Sequence, residues 1–508
     1  MNSLPTGIQD FATLRENGNV YVDKTPLIAK MLKTGRSFFL SRPRRFGKSL
    51  LVSTIKAIFE GRKDLFKGLW LEDNCDFAVH PVIRIDFSFV NFTDKSLDQG
   101  IVDWLRFVAL EHGYALQGSN ARDAFRELIL EFSKTARVVV LVDEYDKALT
   151  DYLLEPEKLA ANKSVLRSLY GVLKPLNEHL EFVFLTGVSK IGKLSLFSDL
   201  NNLVDISLAP EFATLCGYSR PEIEQYFPDY IQAVAEYQKL EPEPLWEQIK
   251  HWYNGYSWDG INRLYCPFSF LCFLGIKSFK SYWYETGTPT FLLDLIRAAQ
   301  LNPLEFEYTE LADWEMVATN VDRMNPTSLM FQTGYLTILE QSSGAFGVAY
   351  TLGYPNQEVR MAFSNDLILE YSHSTKPFPE SFNLKLYRAL EKLDWETFFA
   401  IVNRVLSSIP YEIFQRQEAY PHSLLHIMLL ATGFKTTSQV ETSLGRIDIL
   451  LETYTHRIIF ELKTKGTPEE ALAQINKQGY ADGLEPPVVR VGVVFSLEQK
   501  IFSAWQVG

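Results

Sequence analysis

Short apolar runs separated by amphipathic stretches characterise the first two hundred residues of the chain. Each run has the length of a buried strand, and helical patterns such as Leu50–Glu60 lie between the runs. Strands and helices that alternate at this spacing predict a parallel α/β sheet. The predicted strands are Ser37–Ser41, Val82–Phe87, Arg137–Val142, Glu181–Thr186 and Val204–Leu208.

The middle of the chain has a mixed pattern. Residues 216–363 are rich in aromatic side chains, which favours core packing over stacking on nucleic-acid bases. A helical pattern at Asn325–Tyr335 precedes two strand patterns, Leu336–Glu340 and Phe346–Leu352. A helix followed by a hairpin indicates a winged-helix-like element. The segment Leu367–Leu406 then predicts amphipathic helix.

The last hundred residues predict a second α/β unit. An apolar helix at Ser423–Phe434 precedes two β-rich runs, Ile447–Glu452 and Arg457–Lys463, which flank a polar turn and predict an antiparallel hairpin. Thr467-Pro-Glu-Glu470 is a good helix start, with Thr as the N-cap, Pro at the first position and Glu at the third. A further strand is predicted at Val488–Phe495.

Length and composition limit the domain count and the class of protein. A chain of 508 residues is too long for one core, so about two to four domains are expected. A hydrophobic content of 46% with 22% charged residues is typical of a soluble globular protein. Apolar stretches too short for a bilayer and a start without a signal-peptide pattern predict a cytoplasmic protein with no membrane partner. The four cysteines form no CxxC pair, which predicts buried thiols rather than a zinc site.

The C-terminal hairpin concentrates charged residues inside apolar strands. If the turn is centred between Tyr454 and Thr455, Asp448 lies opposite Glu461, at a separation that one divalent cation can bridge. Strand alternation sends Glu461 and Lys463 to the same face. Facing carboxylates repel each other and need a cation or a proton to coexist. An exposed hairpin with solvated charges is the alternative, but the apolar neighbours favour a metal-dependent phosphodiesterase site.

A phosphate-binding loop is predicted between the strand Ser37–Ser41 and the helix that follows it. The loop reads Arg42-Pro-Arg-Arg-Phe-Gly-Lys-Ser49, in the strand–loop–helix context that such a loop requires. The amide groups and dipole of the helix start favour a phosphate, Lys48 would reach the β- and γ-phosphates, and Ser49 would ligate Mg²⁺. Arg42 stands in place of the usual first glycine, so a basic loop that only caps a helix is the alternative. The predicted nucleotide-binding residues of the loop are Arg44, Arg45, Phe46, Gly47, Lys48, Ser49 and Leu50.

Two acidic residues follow the strand Arg137–Val142. A carboxylate at the C-terminal end of a buried parallel strand is where such folds handle Mg²⁺ and the attacking water. Asp143 would hold Mg²⁺, directly or through water, and Glu144 is the candidate base for that water. A helix N-cap with an acidic first turn is the alternative interpretation of this pair. Together with the loop, the strand-borne pair favours an NTPase.

Five runs together resemble the bacterial AAA-ATPase-like family, whose members look like P-loop ATPases and often carry a C-terminal domain of the PD-(D/E)XK nuclease superfamily. Arg42 in place of the first glycine is usual in that family. The resemblance implies that Thr186 or Ser189 takes a sensor-like position near the γ-phosphate. The runs are Ser41-Arg-Pro-Arg-Arg-Phe-Gly-Lys-Ser-Leu50, Val142-Asp-Glu-Tyr-Asp146, Thr186-Gly-Val-Ser-Lys190, Leu200-Asn-Asn-Leu203 and Trp252-Tyr-Asn-Gly-Tyr256.

The superfamily resemblance also implies roles in the C-terminal domain. Asp448 and Glu461 would bind Mg²⁺ or Mn²⁺, and Lys463 would position or activate water or stabilise the phosphorane. Glu418 and Gln474 are implied as an additional acidic and an additional polar residue of this site.

The expected fold class is α/β with four segments. A P-loop NTPase domain with a parallel sheet is expected at 1–215, and a mostly helical lid with the winged-helix-like element at 216–365. A helical bridge is expected at 366–410, and a restriction-endonuclease-like α/β domain at 411–508.

The leading hypothesis is a cytoplasmic protein that binds and hydrolyses ATP with Mg²⁺ and thereby gates a nuclease acting on DNA, with defence against foreign DNA as a further hypothesis. The alternative is an ATP-switched, nucleic-acid-binding sensor or scaffold with an inactive nuclease fold. A third hypothesis, an ATPase without a nucleic-acid partner, has only the net charge of −12 in its support.

The partners and the arginine finger are less well defined by the sequence. Residues 411–508 carry more acidic than basic side chains, so DNA binding would need the ATPase half or a second subunit of a homo-oligomer. Arg220, Arg263 and Arg360 are all candidate arginine fingers, and the sequence does not rank them.

Overall fold

The computed structural model describes residues 3–197, 200, 202–284, 292–293, 295–296, 301, 306–316, 325–345, 347–372, 382–407, 419–442, 445–477 and 487–508. The chain forms two compact units. The first consists of Met1–Gly287 and Tyr308–Asn356, and the second of Thr288–Glu307 and Gln357–Gly508. The four-segment division expected from the sequence stays a prediction, and its helical bridge at 366–410 lies within the second unit.

The first unit contains the parallel sheet and most of the helices that the structure describes. Short 3₁₀ turns occur at Lys63–Phe66, Trp70–Asp73, Asn177–His179 and Pro210–Phe212. Its helices and strands in chain order are α1 (Phe11–Glu16), α2 (Thr25–Thr34), β1 (Ser37–Ser41), α3 (Lys48–Phe59), β2 (Val82–Asp86), α4 (Leu97–Glu111), α5 (Ala121–Phe132), β3 (Val138–Asp143), α6 (Lys147–Thr150), α7 (Pro156–Tyr170), β4 (Leu180–Gly187), α8 (Lys193–Leu196), β5 (Val204–Asp205), α9 (Arg220–Tyr226), α10 (Pro228–Gln238), α11 (Pro242–Tyr253), β6 (Asn254–Tyr256), β7 (Leu264–Tyr265), α12 (Pro267–Ile276), β8 (Thr309–Ala312), α13 (Asp313–Met316), α14 (Pro326–Thr333), β9 (Thr337–Gly344) and β10 (Gly347–Gly353).

The five N-terminal strands form one parallel sheet, which confirms the α/β prediction. The strand order is β2-β3-β4-β1-β5. Strands β1 and β3 are buried along their whole length, which explains why their sequences are apolar without alternation. Parallel strands end at a common edge, and the register places Asp86 beside Asp143 and Ser41 beside Gly187 at that edge. The edge therefore collects the polar residues that follow the strands.

The fifth strand is shorter than predicted. It covers Val204–Asp205 rather than Val204–Leu208, because the chain turns after Asp205. The Asp205 carboxylate accepts a hydrogen bond from the amide of Ser207 (2.9 Å), and the Ser207 hydroxyl accepts one from the amide of Ser41 (2.9 Å). Side-chain hydrogen bonds thus replace strand pairing at this point.

The aromatic middle of the chain builds a second core within the first unit. Helices α9 to α12 contribute most of the buried residues of this cluster, together with Val20, Val22, Tyr265 and Tyr282, which is the packing role expected for the aromatic side chains. Helix α14 precedes the β9–β10 hairpin as predicted, and β8 adds a third, unpredicted strand in the order β8-β10-β9. Phe346, predicted to begin the second strand of this hairpin, lies outside the described residues. The winged-helix-like interpretation stays a prediction.

The second unit is an α/β structure around a mixed sheet. The sheet order is β11-β12-β13-β14-β15, with β13 and β14 parallel and the other neighbours antiparallel. Strands β11 and β15 were not predicted, since their sequences carry few apolar residues in a row. The elements in chain order are α15 (Gln357–Ser372), α16 (Phe382–Glu391), α17 (Trp395–Ser407), α18 (Ala419–Leu430), β11 (Lys435–Thr442), β12 (Gly445–Glu452), β13 (Arg457–Lys463), α19 (Pro468–Lys477), β14 (Val488–Ser496) and β15 (Ile501–Val507).

Helix α17, predicted as part of a bridge, packs on the C-terminal sheet. The rings of Trp395 and Phe398 both lie 6.0 Å from the ring of Phe460 in β13. The Asn403 side chain exchanges two hydrogen bonds with the backbone of Phe502 in β15. This helix therefore contributes to the core of the second unit.

Two helices border the C-terminal hairpin. Helix α18 covers Ala419–Leu430 rather than Ser423–Phe434, because a turn that includes Gly433 at φ 90° follows it. Helix α19 begins as predicted, since the Glu470 carboxylate accepts the Thr467 amide and the Thr467 hydroxyl accepts the Glu470 amide.

All four cysteines are thiols rather than halves of a disulfide; Cys216 and Cys266 are buried, whereas Cys75 and Cys272 are half-buried. None of the helices in the described part of the chain combines the length and the apolar character that a bilayer crossing requires.

Helix α19 lies so close to the sheet that only glycine fits at Gly492 in β14. A Cβ atom there would lie 2.3 Å from the Pro468 carbonyl oxygen and 3.0 Å from the Leu472 amide nitrogen. We expect Gly492→Ala to lower the free energy of unfolding by about 1–3 kcal/mol, the cost of overpacking a core. Thermal denaturation measures this loss. Gly275→Ala is the control, because a Cβ there meets only a Leu4 methyl group at 3.9 Å; equal stability of the two variants would contradict the packing argument.

Candidate nucleotide and metal sites

The loop between β1 and α3 has the backbone of a phosphate cradle. Arg45 and Gly47 both adopt the left-handed region, at φ 68° and φ 89°. Gly47 is the N-cap of α3, and the space that a Cβ would occupy there is open. Turns of this kind direct successive amide groups towards one point, and the dipole of α3 adds positive potential. The loop can therefore hold an anion at the start of α3.

Lys48 is buried at the start of α3. Its ammonium group donates a hydrogen bond to the carbonyl of Pro43 in the same loop (2.9 Å). Burial lowers the pKa of Lys48, whereas Asp143, Glu144 and Asp146 nearby raise it. The lysine thus lies between the loop and the acidic ends of the strands.

Asp143 carries a buried carboxylate at the end of β3. Its Oδ2 atom has no hydrogen-bond partner in the described part of the chain, and Arg84 Nη2 lies 3.9 Å away. Burial raises the pKa of Asp143 to about 6, and Asp86 adds repulsion, while the Ser49 hydroxyl and Lys48 oppose the shift. A buried acceptor without a partner is the feature expected of a cation ligand.

Two neighbours of Asp143 complete this edge of the sheet. Asp86, which the sequence analysis missed, accepts a hydrogen bond from Arg84 (2.9 Å). Glu144 adopts the left-handed region at φ 51°, and its carboxylate accepts a hydrogen bond from the Ser88 hydroxyl (2.8 Å). A non-glycine residue in this region is strained, and such strain concentrates at functional sites. Asp86 could have been identified from the sequence, because it ends strand β2 in the same way that Asp143 ends the neighbouring strand β3.

The two sensor candidates make their hydrogen bonds within the protein. The Thr186 hydroxyl donates to the Leu40 carbonyl (2.8 Å), and the Ser189 hydroxyl donates to Asp146 (2.7 Å). Asp146 also accepts the amides of Val188 and Ser189, so it fixes the turn after β4. Both hydroxyl protons are therefore engaged, and a sensor role stays a prediction.

The remaining loop residues lie in different environments. Arg44 is exposed, and the Arg45 guanidinium lies 3.6 Å from the ring centre of Phe268. Phe46 is buried, and Leu50 lines a pocket beside Gly47. Residues far away in sequence form the other walls of this pocket, and the sequence analysis did not identify them: Val20, Tyr21, Val22, Lys24, Cys216, Gly217 and Tyr218.

In the second unit, the hairpin β12–β13 has the predicted register. Ile449 pairs with Phe460 and Leu450 with Ile459, so Asp448 and Glu461 are the next opposed positions. At this end the Asp448 carboxylate accepts the amide of Leu462 (2.9 Å). This hydrogen bond to the backbone, where the pairing of β12 with β13 ends, holds the Asp448 side chain beside Glu461.

Glu461 is the most strongly buried acid of the hairpin, with 2% of its surface exposed. Its Oε2 atom is buried and has no hydrogen-bond partner among the described residues. Burial raises its pKa to about 8, Asp448 adds repulsion, and Lys463 and Gln474 partly offset these effects. Its charged form is therefore costly unless a cation binds.

Lys463 and Gln474 flank Glu461. The Lys463 ammonium lies 3.7 Å from Glu461 Oε1 and donates a hydrogen bond to the side-chain oxygen of Gln474 in α19. The structure thus brings four predicted residues together: Asp448, Glu461, Lys463 and Gln474. Glu418 lies outside the described residues.

Two histidines of α18 were not predicted, and one of them contacts the hairpin. The His422 Nε2 atom lies 2.9 Å from the Asp448 carbonyl oxygen. One turn further on, His426 is fully buried, and burial lowers its pKa to about 3. Spacing of four residues on an apolar helix was the signal that could have revealed them.

All three candidate arginine fingers are engaged within the chain. Arg220 lies over the ring of Trp246, and Arg263 donates to the carbonyls of Ile338 and Leu339. Arg360 forms an ion pair with Glu307 (3.0 Å). The arginine finger therefore stays unassigned.

Comparison with known proteins identifies the class of both units. The family model of predicted AAA-ATPases matches residues 5–197, and that of the PD-(D/E)XK nuclease superfamily matches residues 416–505. A protein of Azotobacter chroococcum mcd 1, described as "Uncharacterized protein in vnfD 5'region", is 36% identical over 515 residues, which cover 98% of this chain and 97% of that protein. The chain belongs to the same family as this protein, with an AAA-ATPase-like domain and a C-terminal PD-(D/E)XK nuclease superfamily domain. No solved structure matches the chain.

The residues of both sites fit a divalent cation. Each site has a buried carboxylate oxygen, on Asp143 and on Glu461, that accepts no hydrogen bond from the described residues. No group of three or more His, Cys, Asp or Glu side chains that could hold a metal occurs among the described residues. Mg²⁺ keeps several water ligands and often uses only one or two carboxylates, so both sites suit Mg²⁺ or Mn²⁺ better than a fully protein-ligated metal.

The pKa of Glu461 predicts a pH-dependent stability of the metal-free protein. Because this pKa is about 8 in the folded chain and 4.5 ordinarily, unfolding releases a proton between these values, so stability falls as pH rises through this range. Glu461→Gln should remove that fall. Thermal denaturation in a chelator across the same pH range measures it. Glu452→Gln, at an exposed ion pair in β12, should keep the wild-type profile; parallel profiles for all three proteins would contradict the prediction.

Proposed function

We propose that the chain binds and hydrolyses ATP in its first unit, cleaves DNA with Mg²⁺ or Mn²⁺ in its second, and uses the nucleotide state to gate cleavage. The observation that carries this proposal is the cluster of Asp448, Glu461, Lys463 and Gln474, in which a buried carboxylate oxygen has no partner among the described residues. A sensor or scaffold would have no need to keep so costly a group.

The ATP site uses the loop, the strand ends and the neighbouring pocket. The amides around Gly47 and the ammonium group of Lys48 would bind the phosphates, for which Lys48 must leave the Pro43 carbonyl. Ser49 and Asp143 would hold Mg²⁺, which when bound offsets the charge of the phosphates. The pocket beside Gly47 and Leu50, which Tyr218 also lines, offers a mainly apolar place for the base.

Glu144 would act as the base for the attacking water. The bond from Ser88 and the strained backbone hold its carboxylate at the edge of the sheet, next to Asp143. A carboxylate in this position accepts the water proton as the phosphoryl group is transferred.

Four side chains of the nuclease site would have separate roles. Asp448 and Glu461 would hold the cation, which when bound lowers the pKa of water and offsets the charge that develops on the phosphate. Lys463, kept near Glu461 by Gln474, would orient the attacking water or stabilise the extra negative charge. Hydrogen bonds to the Asp448 carbonyl and carboxylate hold that residue in place before the cation binds.

We expect Asp448→Asn to abolish metal-dependent cleavage and to leave ATP hydrolysis unchanged. Loss of a partner that only orients a ligand costs about 10–100-fold, so loss of a ligand should exceed about a hundredfold. The measurement is cleavage of double- and single-stranded DNA, and of RNA, with Mg²⁺ or Mn²⁺. Glu452→Gln, in the same strand but paired with Lys435, is the matched control and should cleave normally. If wild type cleaves none of these substrates with either metal, the nuclease part of the proposal is wrong.

Lys48→Ala should abolish ATP hydrolysis, because the transferred phosphoryl group loses its ammonium partner. The expected loss is about a hundredfold or more, the scale for removing one preorganised charged donor. Phosphate release at saturating MgATP measures it. Lys56→Ala in the same helix, where the lysine pairs with Glu60 at the surface, is the control. Similar rates for both variants would refute this assignment of the loop.

A further inference from the structure

Trp258 contacts both ends of the phosphate-binding loop. The Arg42 guanidinium lies 4.1 Å from the centre of its ring, and the ring of Phe46 meets it edge-on at 5.2 Å. Arg42 opens the loop and Phe46 directly precedes Gly47. One indole ring, only 5% exposed, therefore spans the segment that would surround a phosphate.

The contact with Arg42 matters because this guanidinium is completely buried. It donates hydrogen bonds to the carbonyls of Ser41, Ser207 and Phe212, and no carboxylate of the described residues lies within ion-pair distance. A buried cation needs compensation for its lost hydration. The face of an indole ring supplies it, and this attraction is strongest where water is excluded.

The turn that carries Trp258 is itself rigid. The Asp259 carboxylate accepts hydrogen bonds from the amides of Ile261 and Asn262, and the Ser257 amide donates to the Thr337 hydroxyl (2.7 Å). Just before the turn, a Cβ at Gly255 would lie 1.9 Å from the Pro355 carbonyl oxygen. The backbone therefore has little freedom to move the indole away from the loop.

The neighbouring Tyr256 supports the same contact. Its ring lies 4.7 Å from that of Phe46 and is stacked with that of Trp258. Tyr256 ends the run Trp252–Tyr256, which belongs to the family resemblance but has no part in the proposed chemistry. Holding the loop gives this run a physical role.

We propose that Trp258 is a positioning residue, which holds the loop Arg42–Phe46 in its phosphate-binding conformation and replaces the constraint that a first glycine supplies in other loops. The inference rests on the proposed ATP-binding function. Trp258 touches no phosphate in this arrangement; it acts through Arg42 and Phe46. Its loss should therefore increase the mobility of the loop and weaken the binding of nucleotides that carry a β-phosphate.

Trypsin cleavage of the full chain tests the mobility directly, because Arg44 and Arg45 lie within the loop. We expect Trp258→Leu to accelerate cleavage after these two residues by about tenfold, the scale of one desolvated cation–π contact. Trp258→Phe, which keeps an aromatic face, should show a smaller increase. Cleavage after all other Arg and Lys residues, measured by mass spectrometry, should change little. The affinity for MgADP, measured by calorimetry, should fall in the same order.

Trp246→Leu is the matched control, because Trp246 also lies under an arginine, Arg220, at 4.7 Å, but away from the loop. It should leave loop cleavage and MgADP affinity unchanged. Wild-type loop cleavage in Trp258→Leu would overturn the inference, and if that variant does not fold, the same result in Trp258→Phe would overturn it. Failure of wild type to bind MgADP would instead refute the proposed function, whatever the cleavage pattern.

Discussion

The central physical constraint of this protein is the placement of a carboxylate in a buried position where one of its oxygens has no hydrogen-bond partner among the described residues. Asp143 at the end of β3 and Glu461 in β13 both meet this description. Their ionised forms are costly in a low-dielectric setting, which is why burial raises the pKa of one to about 6 and of the other to about 8. A divalent cation removes that cost. The two sheets differ in topology, but each carries a buried carboxylate whose charge a bound cation would stabilise.

Both sites place a lysine near the carboxylate without a close ion pair. Lys48 donates to the Pro43 carbonyl, and Lys463 donates to Gln474 while its ammonium remains 3.7 Å from Glu461. A tight ion pair would satisfy the carboxylate and reduce its demand for a cation. An ammonium held by a neutral oxygen instead supplies positive potential and stays available to a phosphate. This arrangement allows buried carboxylates and an ammonium group to lie close together within each site without neutralising each other.

The sequence was most informative where the chemistry is local. Alternation and the centre of one turn were enough to place Asp448 opposite Glu461, and the apolar run before Asp143 predicted a strand that ends in an acid. Features that depend on distant segments could not be obtained in this way. The contact of Trp258 with Arg42 joins residues more than two hundred positions apart, and the pocket beside Gly47 has walls from segments as distant in sequence as Val20 and Tyr218. Strand β11 escaped prediction because its polar sequence forms a strand only through pairing with β12.

The coupling between the two units is the central claim, and one measurement tests it most directly. The rate of DNA cleavage in Mn²⁺ or Mg²⁺ should be compared with and without ATP, in wild type and in Lys48→Ala. The account predicts that ATP changes the wild-type rate and that Lys48→Ala loses this response while Asp448, Glu461 and Lys463 remain intact. Cleavage that is equally fast in both proteins, with and without ATP, would contradict it.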